Sequence, residues 1–530
     1  MSAMAAPMDD DPLSQLTCPL PNVESRHALP PIPNNRPTSG TAQTTVNAPK
    51  LTTLDIVRVG LSLDVYRQGQ AWARLQQQNA LQSNALHIGT ALPMDPKDYP
   101  TNANDKDMAW RQRKANALEL ALQGFPERWP IPTVTVVRGY NSKAENLRTP
   151  ADMIADMLVD TANMMRQPAG LHWHRIKQLQ NGVICNDTPE GLVEAIFQVF
   201  ERNPDMPALL VYAVEGVNMA ATLTTKDVKL KSLGAGSGPR QPGKLTDAIV
   251  ALVVARPERL NWLRRYARNT RPAANPIDPV FNGWVHPPSP PFTPTLFFPE
   301  PITEYGFKQW DGLKVLAKLH RPVTVPLRPA GTTQTNQART VALAQAWDTA
   351  TADLNAPPAR VFYDTGAPIG GAAVLAPAMF QAQRPVDILA SNQSYDLSQR
   401  FGDTGASSPF VGIALATMAT YLNADTSMVA PLRRTDQATF IAITPTQPGK
   451  QPADEPFGVK LRPQFSDTSN EPSPEALAAM AAQQRAWEAR RERIADPYVD
   501  PAVRAREQRI LDDFIAGGIG IDPLDPKNRG

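Results

Sequence analysis

The chain has 530 residues, with 53 lysines and arginines against 51 aspartates and glutamates, and a formal net charge of +2. That balance supplies no electrostatic reason to expect nucleic acid or an anionic membrane surface as partner. Two cysteines, Cys18 and Cys185, rule out a disulfide framework or a cysteine zinc set, and their scarcity fits a reducing compartment. The longest purely apolar run, "AIVALVVA" at 248–255, is a buried strand, far short of the roughly 18 residues a membrane span needs. The opening "MSAMAAPMDDDPLSQL" has neither basic flank nor apolar centre, so a cytoplasmic location is expected.

The 54 prolines are about twice the average share and gather at 19–37, 272–301 and 445–474. Proline lacks a backbone donor and blocks helix interiors, so these clusters read as an arm, a crossing and a linker. The expected organisation is a disordered Pro-rich arm at 1–53, an N-terminal α/β half at 54–280, a C-terminal α/β half at 281–450, and a linker with helical tail at 451–530.

Ordered patterning starts at "TLDIVRVGLSLD". Two-residue alternation puts Val57, Val59, Leu61 and Leu63 on one strand face and Arg58, Gly60 and Ser62 on the other. "DVYRQGQAWARLQQQNALQ" predicts a helix from residue 64, and "DMAWRQRKANALELALQG" a second, stopped at Gly124. "TVTVVRGY" is a strand, "TPADMIADMLVDTANMMRQ" a helix with Pro150 in its first turn, and "GLHWHRIKQL" a strand. "TPEGLVEAIFQVFERNP" is a helix opened by Thr188 and Pro189. "ALLVYAVEG" and "DAIVALVVARP" are continuous apolar strands, expected to be buried on both faces.

Beyond the proline crossing the rhythm recurs. "GLKVLAKLHRPVTVPL" is strand-like, "NQARTVALAQAWDTATADL" a helix, "ARVFYDT" a strand and "GGAAVLAPAMFQAQ" a helix. "VDILASN" is a strand, "SSPFVGIALATMATYLN" a helix and "ATFIAITP" a strand. Such alternation predicts an α/β protein with covered sheets. In the tail, Leu477, Met480, Trp487 and Ile494 form one stripe of a charged helix, and a short helix ends at Gly517.

"DTGAPIG" at 364–370 resembles the glycine-rich turn of the ketosynthase and thiolase-like group. "SNQSYDLSQRFGDTGASSPFVGIALATM" at 391–418 is similar to that group's second loop and its small-residue helix. The resemblance spans about 100 residues and implies a layered, thiolase-like α/β fold. The group's catalytic side chains do not follow it. Its two histidines fall on Tyr363 and Asp403 and its loop lysine on Gln393, and its nucleophilic cysteine falls near Thr188, three residues after Cys185. An ionised Asp403 would oppose the developing negative charge those histidines stabilise. Gly366, Gly370, Gly402 and Gly405 are therefore expected to hold structural turns. Asp364 and Asp403, each followed by threonine, are expected to satisfy loop amides rather than to move protons.

A second resemblance runs from about residue 54 to 450. It is carried by "VGLSLDVYRQGQAWARLQ", "DPKDYPTNANDKD", "RWPIP", "FGDTGASSPFVGIALATMATYL" and "ATFIAITP". These are similar to the bacterial type VI secretion adaptors that accompany phospholipase effectors. That resemblance implies a non-enzymatic adaptor or chaperone, with a phospholipase effector and the VgrG spike as partners and no cofactor or metal.

Other stretches carry weaker signals. "GSGPRQPGKLT" at 236–246 nearly spells a phosphate loop, but Leu245 replaces the hydroxyl residue, and Pro239 and Pro242 remove amides. His172 and His174 would share a strand face, and no third metal ligand is marked nearby. The six arginines of "RPERLNWLRRYARNTR" read as a solvated or docking helix. Trp262, Arg264, Arg265, Tyr266 and Arg268 there, with Trp487 in the tail, are the candidate partner-binding residues. An acyl-transfer enzyme using Cys185 or Thr188 and a structural assembly protein remain open alternatives.

Overall fold

The computed structural model describes residues 50–93, 103–126, 129–137, 175–178, 183–184, 189–203, 206–216, 245–257, 304–327, 335–366, 370–434 and 436–459. It adds isolated helical positions at Thr161, Ala482, Arg485, Ala502 and Ala505. Two compact units divide between Leu461 and Arg462. The second is described only at Ala482, Arg485, Ala502 and Ala505, all exposed. The arm to residue 49, the helix expected over 149–167 apart from Thr161, and the tail stripe lie outside the described residues.

In the first unit, β1 (Thr53–Leu63), β2 (Tyr66–Arg67), α1 (Gly69–Leu81), α2 (Ala103–Leu122), β3 (Pro130–Val137), β4 (Arg175–Gln178) and β5 (Val183–Ile184) come first. They are followed by α3 (Gly191–Arg202), β6 (Ala208–Glu215) and β7 (Ala248–Ala255). Beyond these lie α4 (Glu304–Asp311), β8 (Ala317–His320), β9 (Val323–Pro326), α5 (Asn336–Thr351), β10 (Arg360–Asp364) and α6 (Gly371–Met379). The series closes with β11 (Ser394–Asp396), α7 (Leu397–Phe401), α8 (Ser408–Asn423), β12 (Ser427–Pro431) and β13 (Gln437–Thr444).

The thirteen described strands join in one mixed sheet, in the order β11-β10-β12-β13-β8-β1-β7-β6-β3-β4. The pattern is a duplication. Reading inward from either edge, two parallel pairings are followed by two antiparallel ones, and antiparallel β1 and β8 meet at the centre, with Ile56 opposite Ala317. In each half the chain visits these positions in the same sequence, so β1, β3, β4, β6 and β7 correspond to β8, β10, β11, β12 and β13. The residues reveal only a shared rhythm; the pairing order reveals the repeat.

Helix α8 is the central layer. Every residue from Ser408 to Thr420 is buried, and the helix packs on β1 and β7 of one half and on β10, β12 and β13 of the other. The second half of the sheet shows period-two burial. Phe362, Val429, Ile441 and Ile443 join the core around α8, whereas Val361, Tyr363, Met428, Ala430, Phe440 and Ala442 join a second core under α5 and α6. Helix α2 covers the first half so closely that a methyl group at Gly60 would lie 1.8 Å from the Ala117 carbonyl oxygen. Arg58, on the same face, donates from Nε to the Gln123 carbonyl at 3.0 Å and so closes the end of α2, where Gly124 has φ +69°.

Several local expectations are corrected. The helix predicted from residue 64 starts at Gly69. A two-residue strand precedes it, and Asp64 and Gln68 have positive φ (53° and 46°). Asp64 is held there by the buried Arg113, 3.0 Å away, which also pairs with Asp247. Helix α3 begins at Gly191, with Glu190 as its N-cap residue. "GLKVLAKLHRPVTVPL" is two short strands broken at Arg321 and Pro322. "VDILASN" is not a strand. Val386 is buried in irregular chain and Ile388 in a turn, Asp387 Oδ1 accepts from Leu389 N at 2.9 Å, and the strand forms later at Ser394–Asp396. Strand β12 was not anticipated.

Candidate functional site

The C-terminal ends of β6, β10 and β12 converge on the loop between α7 and α8. In sheets with parallel strands this edge is where ligands commonly sit. Asp364 ends β10 and is 2% exposed. Its Oδ1 accepts from Gly366 N at 2.7 Å and from the Ser398 hydroxyl; its Oδ2 accepts from the Ser408 hydroxyl and from Arg433 Nη1 at 3.1 Å. Asp403 Oδ1 accepts from Gly405 N at 2.9 Å and from Arg433 Nη2 at 2.8 Å. One guanidinium thus bridges two loop carboxylates, and both raise its pKa above the ordinary arginine value against the opposing effect of burial.

The same loop is tied to the first half. Glu215, at the end of β6, accepts from Ala406 N at 2.9 Å. Thr246 N donates to the Asp403 carbonyl at 2.7 Å, and the Ser407 hydroxyl to the Ala248 carbonyl at 2.9 Å. The four glycines all lie at positive φ: Gly366 +71°, Gly370 +90°, Gly402 +81° and Gly405 +52°. At Gly402 the combination φ 81°, ψ −164° belongs to a region used almost only by glycine, and it lets α7 stop where the Asp403 loop begins.

Glu190 occupies the N-cap position of α3, with no side-chain cap hydrogen bond. It is 1% exposed, and among the described residues its carboxyl oxygens have no hydrogen-bond partner on another residue. Burial pushes its pKa up to about 7, while Arg434 and Arg433 pull it down and Asp364 adds to the rise. Asp396 is likewise pushed up to about 7, first by burial and then by Asp364, although Gln399 N donates to it at 3.1 Å. The site therefore holds acids whose charge is regulated by burial.

Of the positions matched to ketosynthase side chains, Tyr363 is 2% exposed, and burial raises the pKa of its hydroxyl above the ordinary tyrosine value. Gln393 Oε1 is occupied by Asp387 N at 2.9 Å, and Asp403 by Arg433 and Gly405 N. Cys185, Thr188, His172, His174, Trp262, Arg264, Arg265, Tyr266, Arg268 and Trp487 lie outside the described residues. So does the 236–244 part of the glycine-proline loop, whereas its last residues are described: Leu245 pairs with Asp403 in an isolated bridge. Sequence reasoning missed Arg433, Ser398, Ser408 and Glu215. The only local signal was the arginine pair that follows "SMVAP", and it had no meaning until that segment was known to be a strand. Among the described residues no group of His, Cys, Asp and Glu is arranged to hold a metal, and no helix is long and apolar enough to cross a membrane.

Two parts of one family match the chain. "Type VI lipase adapter protein Tla3, N-terminal" covers residues 52–232, and "Type VI lipase adapter protein Tla3, C-terminal" covers 316–445, together more than half of the sequence. Among solved structures, the chain is similar to the oxazolomycin ketosynthase domain OzmH KS8 of Streptomyces albus JA3453. Identity is 11% and the TM-score 0.40, over 78% of this chain and 100% of that one. The ketosynthase from module 6 of the Bacillus subtilis 168 bacillaene synthase is 11% identical, with a TM-score of 0.41 over 75% of this chain and 73% of that one. Acetamide-bound OleA of Xanthomonas campestris is 12% identical, with a TM-score of 0.35 over 74% of this chain and 98% of that one.

Proposed function

The chain belongs to the type VI lipase adapter family, and from that premise we propose that it binds a phospholipase effector in the cytoplasm and loads it onto the VgrG spike. The observation that carries the proposal is the extent of the family match, which takes in β1 to β6 of the first half and β8 to β13 of the second. The chemistry of the candidate site agrees with it. Asp364 and Asp403, the acids best placed at the strand ends, spend their oxygens on loop amides, hydroxyls and Arg433. A lipase that attacks membranes carries apolar surface, and a large rigid partner covers such surface until the moment of loading.

Co-purification of the full-length chain with its untagged genomic neighbours, followed by mass spectrometry, tests this. Recovery of a lipase effector and a VgrG protein is expected. Recovery of acyl carrier proteins alone, or of self-oligomers alone, contradicts it. So would acyl-transfer or thioesterase activity that collapses in a folded Asp403→Ala variant.

A further inference from the structure

β13 ends at Thr444, and the boundary of the C-terminal unit follows Leu461. From Thr446 to Val459 the connecting segment is exposed or half-exposed at every residue but one. The exception is Phe457, 2% exposed, whose ring meets Tyr421 edge-on at 5.6 Å. Its carbonyl accepts from Gly69 N, the first amide of α1, at 3.1 Å. That helix has no side-chain cap of its own, because Gln68 spends its amide on β1, accepting from Leu61 N at 2.9 Å and donating to the Val59 carbonyl at 2.6 Å. The connecting segment supplies the missing acceptor.

Two further points hold the segment. Gly449 N donates to the Ala424 carbonyl at 2.9 Å, and Asp454 pairs with Lys314 at 2.5 Å and accepts from the Tyr421 hydroxyl at 2.9 Å. Lys314 and Asp454 are 58% and 47% exposed, so salt and water weaken that pair. Between these points and the body lies a cavity of about 300 Å³, lined by Arg58, Gln68, Gln123, Lys314 and Glu455 among others. The segment is thus pinned at a few places rather than packed along its length.

We propose that residues 446–459 form a releasable clasp, with Phe457 as its plug, that caps and holds the first turn of α1. Pro448 and Pro456 sit in the turns of the docked segment, and with Pro452 they restrict the released chain and so reduce the entropy lost on docking.

Hydrogen exchange on the full-length chain, read by mass spectrometry, tests the clasp at the amide it caps. Phe457→Ala should speed exchange at Gly69 and across 453–459 at least tenfold while β1, α2 and α8 keep their rates. Phe457→Leu should retain most of the protection, and Lys314→Gln should change it less than twofold. Trypsin should then cut after Lys450 faster in the Phe457→Ala protein than in the parent. The proposal fails if the parent already exchanges at the free-chain rate at these amides, or if Phe457→Ala leaves Gly69 protected. It also fails if acceleration spreads evenly through α2 and α8, since Phe457 would then be an ordinary core residue.

Discussion

Arg433 reaches Asp403 at 2.8 Å with one terminal nitrogen while the other lies 3.1 Å from Asp364, so a single side chain locks the two glycine loops together. Removing it leaves Asp364, 2% exposed, with a buried charge and one partner fewer. Arg433→Ala should cost about 3–5 kcal/mol in denaturant unfolding, the usual penalty for breaking a buried pair on one side. Arg433→Lys should recover only part of this, because an ammonium cannot span both carboxylates as a planar fork does. A loss below about 1 kcal/mol for the alanine variant would show that the bridge is incidental.

Glu190 gives the stability a predictable pH dependence. Its folded pKa, about 7, lies above the ordinary value of 4.5. The folded chain therefore holds the extra proton between those values, and stability is lost as pH rises through that window. Glu190→Gln should match the parent near pH 4 and exceed it above pH 7 by up to roughly 3 kcal/mol. Asp396 titrates in the same window, so some slope should persist in the variant. Melting curves from pH 4 to 8 check this, and a parent protein whose stability gains from pH 5 to 7 more than the variant's does would refute it.

Gly60→Ala should be among the most damaging small substitutions. The added methyl would sit 1.8 Å from the Ala117 carbonyl oxygen and 2.9 Å from Ala121 N, both backbone atoms of α2 that cannot swing aside. Overpacking of this kind typically costs about 1–3 kcal/mol, and here the central strand or the helix must move bodily. Thermal unfolding of Gly60→Ala beside Gly89→Ala, a glycine with nothing within 4 Å of its would-be methyl, isolates the effect. Equal melting temperatures would contradict the close approach.

Adapter loading and the structural role of the loops can be separated in one experiment. Asp403→Asn keeps an acceptor for Gly405 N but removes the charge that meets Arg433. Stability should fall by about 1–3 kcal/mol while the amount of effector recovered from cells, measured at a temperature where the variant stays folded, remains unchanged. Loss of recovery from a folded variant would place the partner at this loop instead.

Some elements were legible because a strand or helix is largely decided by neighbours a few residues away. β6 and β7, apolar at nearly every position, announce burial on both faces, and all sixteen residues are buried. The small-residue helix after the Asp403 loop was plain, as was the stop at Gly124. β12 was not. Ser427–Pro431 is too short for a period, and it becomes a strand because β10 and β13 bracket it. The strand expected at 386–392 failed for the converse reason. Val386 and Ile388 alternate like a strand, yet they join the core under α5 and α6 from irregular chain and a turn.

By itself, then, the sequence determined the α/β class, the small central helix and the glycine loops, all of which depend on local spacing and on the steric needs of single residues. Only the tertiary structure decided that the halves repeat one pairing order, that Glu190 is buried at the head of α3, and that Arg433 meets Asp364 and Asp403. Those partners lie 69 and 30 residues from Arg433 along the chain. No local pattern records such pairings, because they are selected by the shape and charge of a surface that exists only after the sheet has closed around α8.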